Sequence, residues 1–306
     1  MCIRDRPDSL IPYGVKSMNQ RKTFKNLLDK PGIIAAPGAY DCLTAKIIQN
    51  AGFSAVYMTG AGTSVAKYGY PDLALTTATE MIASARDICS VVDIPVIADA
   101  DTGYGGVLNV QRTIRDYERS GVAAVHLEDQ EFPKRCGHLD GKQVISISDM
   151  VSKIKAAVDA RNDPDFTLIV RTDALAVTSW DDTIDRCWQY IDAGADVLFV
   201  EAIRSRDQAE ALTKLFPVPL LYNFVETGKS PLYDISELED IGFKIVIYPV
   251  SALLTVCNVV SNVMSELKQF GTTGHLVENM VAVTEAFDMV GLSDMLNASE
   301  NYSSDP

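Results

Sequence analysis

Apolar and polar residues recur along this chain in one repeated order. The stretches AGFSAVYMTG (51–60), SGVAAVHLED (120–129), AGADVLFVEA (193–202) and IGFKIVIYPV (241–250) each pass from a glycine through an apolar core to polar or special residues. Glycine suits the left-handed position that closes a helix. A short unbroken apolar run reads as a strand covered on both faces. Four further runs, GIIAAPGAYD (32–41), IPVIADAD (94–101), FTLIVRTD (166–173) and VPLLYNF (218–224), bring the expected strands to eight. Between them the apolar positions take helical spacing: Val107, Val110, Ile114 and Tyr117 share one face, as do Ile184, Cys187, Trp188 and Ile191.

Eight strands alternating with helices over about 250 residues predict an α/β fold, a (β/α)8 barrel of the TIM type. A doubly wound sheet is the competitor, but no GxGxxG loop opens a helix after the first strand. Two helical stretches follow the eighth strand, 251–270 and roughly 277–296, more than a barrel requires. They are expected to cap the barrel or pack on a neighbour. No linker divides the chain. The expected organisation is a leader over 1–20, disordered or foreign to the fold, a barrel with its C-terminal helical extension over 21–296, and a tail over 297–306.

Composition removes some function classes. Over 306 residues the net charge is −14, which argues against nucleic acid as a partner. No apolar run reaches membrane-spanning length. Six cysteines (2, 42, 89, 136, 187 and 257) form no CxxC pair, a usage that suits free thiols in a reducing compartment. The head lacks the apolar core of a secretory leader, so the cytoplasm is the expected location.

In a barrel of this type the reactive groups gather where the strands end. Those ends carry Tyr57 and Thr59, Asp99 and Asp101, His126 and Glu128, Arg171 and Asp173, Glu201, Asn223, then Tyr248 and Pro249. Asp99 and Asp101, in DADTGYGG, are two apart, and strand alternation would aim both at the mouth. Two such carboxylates repel unless a cation joins them. Oxygen donors without a His/Cys cluster favour Mg2+, with Mn2+ as the alternative. Glu128 and Glu201 could reach the metal through water. The blander reading is that the aspartates cap the next helix. Arg171 suits a bidentate clamp on a substrate carboxylate, or else a structural salt bridge with Glu201 or Asp173.

EDQEFPKRCGH (128–138) places Cys136 among Lys134, Arg135 and His138. Flanking cations would favour the thiolate. The residues alone leave open whether this thiol is a nucleophile, a general acid or a structural side chain. Cys42, Cys89, Cys187 and Cys257 fall in helical patterns and read as buried. His126 reads as a satisfied histidine of the barrel interior, and His138 as a carboxylate polariser or a loop support.

Taken together, DADTGYGG, LEDQ, PKRCGH, ARNDPDFTLIVRTDA, DAGADVLFVEA and YPDLAL make the chain, from about residue 22 to 290, resemble the isocitrate lyase and phosphoenolpyruvate mutase superfamily. The likeness is strongest to its short lyases for methylisocitrate-like and dimethylmalate-like acids. The resemblance implies a Mg2+-dependent barrel whose eighth helix is exchanged between paired subunits, usually in a homotetramer. It implies a small carboxylate substrate, with neither nucleic acid nor membrane as a partner.

By resemblance, Asp99, Asp101 and Glu128 hold the metal, and Cys136 protonates the departing carbanion. Lys134, Arg135, Gly137 and His138 share its mobile gating loop. Arg171 binds carboxylate, Glu201 and Asn223 contact substrate, and Tyr57, Thr59, Gly60 and Ala61 form the substrate loop. Asp72, the acid that follows, or Tyr57 would take the substrate's hydroxyl proton. Two departures qualify this picture. The substrate loop reads TGAG where a methylisocitrate-lyase-like loop reads SGG. Pro249 stands where oxaloacetate-hydrolysing relatives tend to carry serine, which counts against hydrolysis. The competing expectations are an oxaloacetate-directed or phosphonopyruvate-directed enzyme on the same scaffold, and a silent barrel used for binding.

Overall fold

All eight expected strands are present in the computed structural model, which describes residues 13–137 and 141–300. They are β1 (Ile34–Ala39), β2 (Val56–Met58), β3 (Val96–Asp99), β4 (Ala124–Glu128), β5 (Thr167–Thr172), β6 (Val197–Val200), β7 (Leu220–Asn223) and β8 (Ile245–Tyr248). All pair in parallel and in sequence order, and β8 returns to β1, so the sheet closes into a barrel. The order follows from the helices between strands, since a parallel neighbour needs a long crossover.

Among the described residues the sheet is framed by helices α1 (Tyr13–Asp29), α2 (Cys42–Asn50), α3 (Ala78–Val91), α4 (Val107–Ser120), α5 (Ile147–Ala160), α6 (Trp180–Ala193), α7 (Arg206–Leu215), α8 (Ile235–Ile241) and α9 (Ser251–Phe270), with short helical turns at Gly60–Thr63 and Ala174–Val177. Glycine closes α4, α6 and α8 in the left-handed conformation at Gly121, Gly194 and Gly242, as the repeated pattern requires. Strand alternation then divides the core in two. Inward residues such as Ile97, Ala124, Ile169, Phe199, Leu221 and Ile247 fill the barrel. Outward ones such as Val56, Met58, Leu127, Val170, Leu198 and Val246 pack beneath the helices.

Several boundaries differ from the sequence reading. Residues 13–20, placed in the leader, belong to α1, and Gln20 donates its side-chain amide to Val92 O at 3.1 Å. Residues 1–12 of the expected leader lie outside the described residues. Residues 297–300, placed in the tail, continue the last helix, Leu292–Glu300. The second C-terminal stretch is broken into a 3-10 turn (Gly274–Asn279) and helices Val283–Asp288 and Leu292–Glu300, with Gly291 at φ 90° between the last two. On the amphipathic faces, Val110, Ile114, Tyr117 and Cys187 are buried, but Val107 and Trp188 sit at the rim and stay exposed. Cys257 is exposed, because α9 leaves the barrel surface and carries its apolar side chains into the open, and Cys42, at the first position of α2, is only half-buried. No helix among the described residues is long and apolar enough to cross a membrane.

Candidate active site

Strand register assembles the mouth. Asp99 of β3 lies beside His126 of β4, and Glu128 of β4 lies beside Arg171 of β5. Paired residues of adjacent parallel strands face the same side, so these four point inward together. Asp101 reaches the mouth another way. It lies beyond the end of β3 with φ 46°, and its N–H donates to Asp99 Oδ1 at 2.9 Å. Simple alternation therefore does not place it; a left-handed turn does, and such a conformation is costly for a residue other than glycine. Tyr104 (φ 58°) and Ala202 (φ 64°) repeat the feature at the same rim.

Among the described residues, five carboxylates (Asp72, Asp101, Glu128, Asp173 and Glu201) pair there with three cations, Lys134, Lys142 and Arg171, and Asp99 stands beside His126. Arg171 grips Asp173 with Nε (2.9 Å) and Nη2 (3.1 Å), and lies 3.3 Å from Glu128 and 3.7 Å from Glu201. Lys134 Nζ stands 2.5 Å from Asp72 and 2.8 Å from Asp101. The surplus of acid shows in the proton affinities. Burial, with repulsion from Asp99 and Asp72, drives the Asp101 carboxyl up to about 6 against the pull of Lys134. Burial likewise raises Glu128 well above the ordinary range despite Arg171 and Lys134. Asp99 moves the other way, because His126 and Lys134 outweigh its burial.

The expected metal trio of Asp99, Asp101 and Glu128 is not drawn into a closed cage, and no such cluster of three exists among the described residues. Asp99 Oδ1 is turned to His126 Nε2 at 3.1 Å instead. The donor set still suits a hard cation. Both Glu128 oxygens are buried without a hydrogen-bond donor, and Asp101 Oδ1 has the Lys134 ammonium 2.8 Å away. Orphaned carboxylate oxygens at this cost ask for a positive partner.

The loop after β4 lies across this cluster. Gln130 clamps the backbone of Arg135, accepting from its N–H at 3.0 Å and donating to its carbonyl at 2.9 Å. The Cys136 N–H donates to Asp72 O at 3.3 Å. At Gly137 an added Cβ would stand 2.5 Å from Arg171 Nη2, and at Gly60 one would stand 2.2 Å from Asp99 Oδ2. These glycines make room for the charged groups.

The loop and strand ends enclose a cavity of about 70 Å³, small beside the hundreds of Å³ of a typical drug-sized site. It suits a compact acid. Tyr57, Thr59, Ala61, Asp72, Asp99, Lys134, Cys136, Gly137, Arg171, Asn223 and Pro249, all singled out from sequence, line it. Gly60, Asp101, Glu128 and Glu201 stand behind that lining. Arg135 is exposed, with its guanidinium beside Gly141, because the Gln130 clamp turns the backbone inward and the side chain out. His138 lies outside the described residues.

Two expectations about protons change. The Tyr57 hydroxyl is 2.6 Å from His126 Nε2, and burial together with Asp99 pushes its pKa well above the usual tyrosine value. Tyr57 keeps its proton and serves poorly as a base. Lys134, expected to favour a Cys136 thiolate, has its ammonium engaged by Asp72 and Asp101. His126 is buried as expected, but its Nδ1 has no hydrogen-bond partner.

Sequence reasoning missed Lys142, whose ammonium is bonded to Gly137 O (2.5 Å) and Asp173 Oδ1 (2.6 Å). It also missed the apolar wall of Phe199, Val225, Ile247 and Val250. Lys142 carries no motif. Phe199 and Ile247 share the inward parity of their strands with Glu201 and Ile245, which was a usable signal.

The family model for phosphoenolpyruvate phosphomutase matches residues 24–268. The chain is 42% identical over 285 residues to a 2,3-dimethylmalate lyase of Eubacterium barkeri, covering 93% of this chain and 99% of that protein. A solved oxaloacetate acetylhydrolase in complex with 3,3-difluorooxalacetate superposes with TM-score 0.90 at 38% identity, covering 94% of this chain and 98% of its own. A phosphonopyruvate hydrolase solved with oxalate and Mg2+ gives TM-score 0.84 at 29% identity, covering 93% and 99%.

Proposed function

This chain belongs to the phosphoenolpyruvate phosphomutase family, and from that premise we propose a carbon–carbon lyase acting on an alkyl-substituted 2-hydroxy dicarboxylate. The observation that carries the reading is the mixed lining of the cavity, which combines Arg171, Lys134, Asp72 and Cys136 with the apolar Phe199, Val225, Ile247, Pro249 and Val250. The charged groups suit a carboxylate, and the apolar groups suit an alkyl substituent. Among the described residues no third cation lines the cavity, so a dicarboxylate suits it better than a tricarboxylate of the isocitrate kind.

Arg171 would hold the carboxylate next to the hydroxyl-bearing carbon. A divalent Mg2+ or Mn2+ held by Asp99, Asp101 and Glu128 would acidify the substrate hydroxyl. The hydroxyl proton passes to Asp72, which lines the cavity beside Lys134. The electron pair of the broken bond leaves with the second fragment as an enolate-like carboxylate. Cys136 gives that fragment its S–H proton and is later reprotonated from solvent, while the first fragment remains as an α-keto acid. Hydrolysis of oxaloacetate would need a group to steer water, and Pro249 offers no hydroxyl.

The exposed apolar arm from α9 onward supports an assembly in which this arm packs on another copy, as in a helix-exchanged homotetramer. Val283 and Met295 are each 69% exposed, an arrangement costly in water for a free subunit.

The test is release of keto acid from a panel of 2,3-dimethylmalate, methylisocitrate, isocitrate, oxaloacetate and phosphonopyruvate with Mg2+. Alkyl-substituted malate should turn over fastest, and excess chelator should abolish the reaction. Turnover of only oxaloacetate or phosphonopyruvate would overturn the lyase reading.

A further inference from the structure

We propose that Lys142 is a positioning residue that ties the Cys136 loop to the carboxylate-binding arginine, an inference that rests on the lyase reading above. The Lys142 side chain is 3% exposed, and among the described residues its ammonium donates to two groups of different kinds. One is the carbonyl of Gly137, the residue after Cys136. The other is Oδ1 of Asp173, whose carboxylate also receives both Arg171 bonds. Sulfur and guanidinium are thus linked through one buried charge.

The far side of this link is rigid. Asp173 N–H donates to Asp129 Oδ1 at 3.0 Å. Asp129 Oδ2 accepts from Thr172 at 2.6 Å and from Tyr190 at 2.8 Å, and Arg186 lies 3.3 Å away. Arg186 also donates to Ile145 O, and Ile145 N–H donates to Asp129 O, so the segment carrying Lys142 is pinned to the same frame. The near side is tight. The Gly137 backbone passes so close to Arg171 that no side chain fits there. A small retreat of Gly137 would carry Cys136 away from a substrate held on Arg171, and misplacement on that scale is costly to reaction geometry.

A plain structural salt bridge makes a different forecast, because it would affect folding without selecting one thiol. The test compares the full-length enzyme with Lys142→Met and Lys142→Arg. It reads kcat and KM for keto-acid release, and iodoacetamide labelling of each cysteine by peptide mass spectrometry. In Lys142→Met, Cys136 should label about 10-fold faster or more, while Cys257, on α9 and outside this link, keeps its wild-type labelling rate, since loss of a charge-assisted bond frees the loop. kcat should fall by about 10- to 100-fold with a smaller change in KM. Lys142→Arg should recover part of both losses. Wild-type labelling of Cys136 in Lys142→Met would overturn the proposal. If Lys142→Met does not fold, Lys142→Gln keeps a donor for Gly137 O and is judged by the same labelling ratio. A wild-type enzyme that cleaves no acid would sink the lyase reading, yet labelling would still judge the tie.

Discussion

At the bottom of the barrel Arg21, 5% exposed, donates to Val122 O, Glu118 O and Asp163 Oδ2. At the mouth Arg171, 8% exposed, is shared among Asp173, Glu128 and Glu201. The two arginines are equally hidden but differently served. Below, Glu118 has both oxygens filled by the Asn162 and Asp163 backbone and the Asn162 amide. Above, Glu128 keeps two buried oxygens without a donor. An end that only stabilises can satisfy each buried group, whereas an end that must receive a charged ligand leaves groups waiting for it. The same contrast holds in the backbone, since the left-handed residues Asp101, Tyr104 and Ala202 cluster at the upper end.

That contrast is sharpest at Cys136. Cys136→Ser should lower cleavage by about 10²- to 10⁴-fold, because a hydroxyl is a far weaker proton donor at similar size. Its melting temperature should match wild type. Equal loss of stability and activity would erase the distinction between the two ends.

Arg21→Met probes the opposite end. It leaves Asp163 and two carbonyls without their cation, and breaking a buried pair costs about 3–5 kcal/mol. Urea unfolding should show that loss, with kcat per folded molecule unchanged. A matching fall in kcat would make the bottom part of the site.

A smaller effect is expected for Arg171→Lys. A point ammonium cannot hold Asp173 and a substrate carboxylate as a fork does, so KM should rise by about 10-fold. An unchanged KM would return Arg171 to a structural role.

The smallest effect is a pH limb. Arg171 and Lys142 overcome burial and hold the Asp173 carboxyl down to about 2, below its unfolded value of about 3.9. The folded state therefore gains stability from Asp173 above about pH 4 and loses it as pH falls toward 2. Melting curves between about pH 5 and pH 3 should fall less steeply for Asp173→Asn than for wild type. Parallel slopes would remove Asp173 as the source of that limb.

The sequence alone determined the eight strands, their parallel order and the end of the barrel where the buried charges gather. These follow from local causes: apolar runs, helical spacing and glycines such as Gly121, Gly194 and Gly242 that must take positive φ. It also determined most of the cavity lining, because Asp99, Arg171 and Asn223 are fixed by strand parity and Cys136 by its unusual neighbours. Only the tertiary structure decided which charges meet. Lys134 sits two residues from Cys136 yet its ammonium goes to Asp72 and Asp101. Arg135 turns outward because Gln130 holds its backbone. Lys142 joins Gly137 to Asp173 across 31 residues. A cation goes where the surplus of buried carboxylates is greatest, and that surplus exists only once eight strand ends have been brought to one mouth.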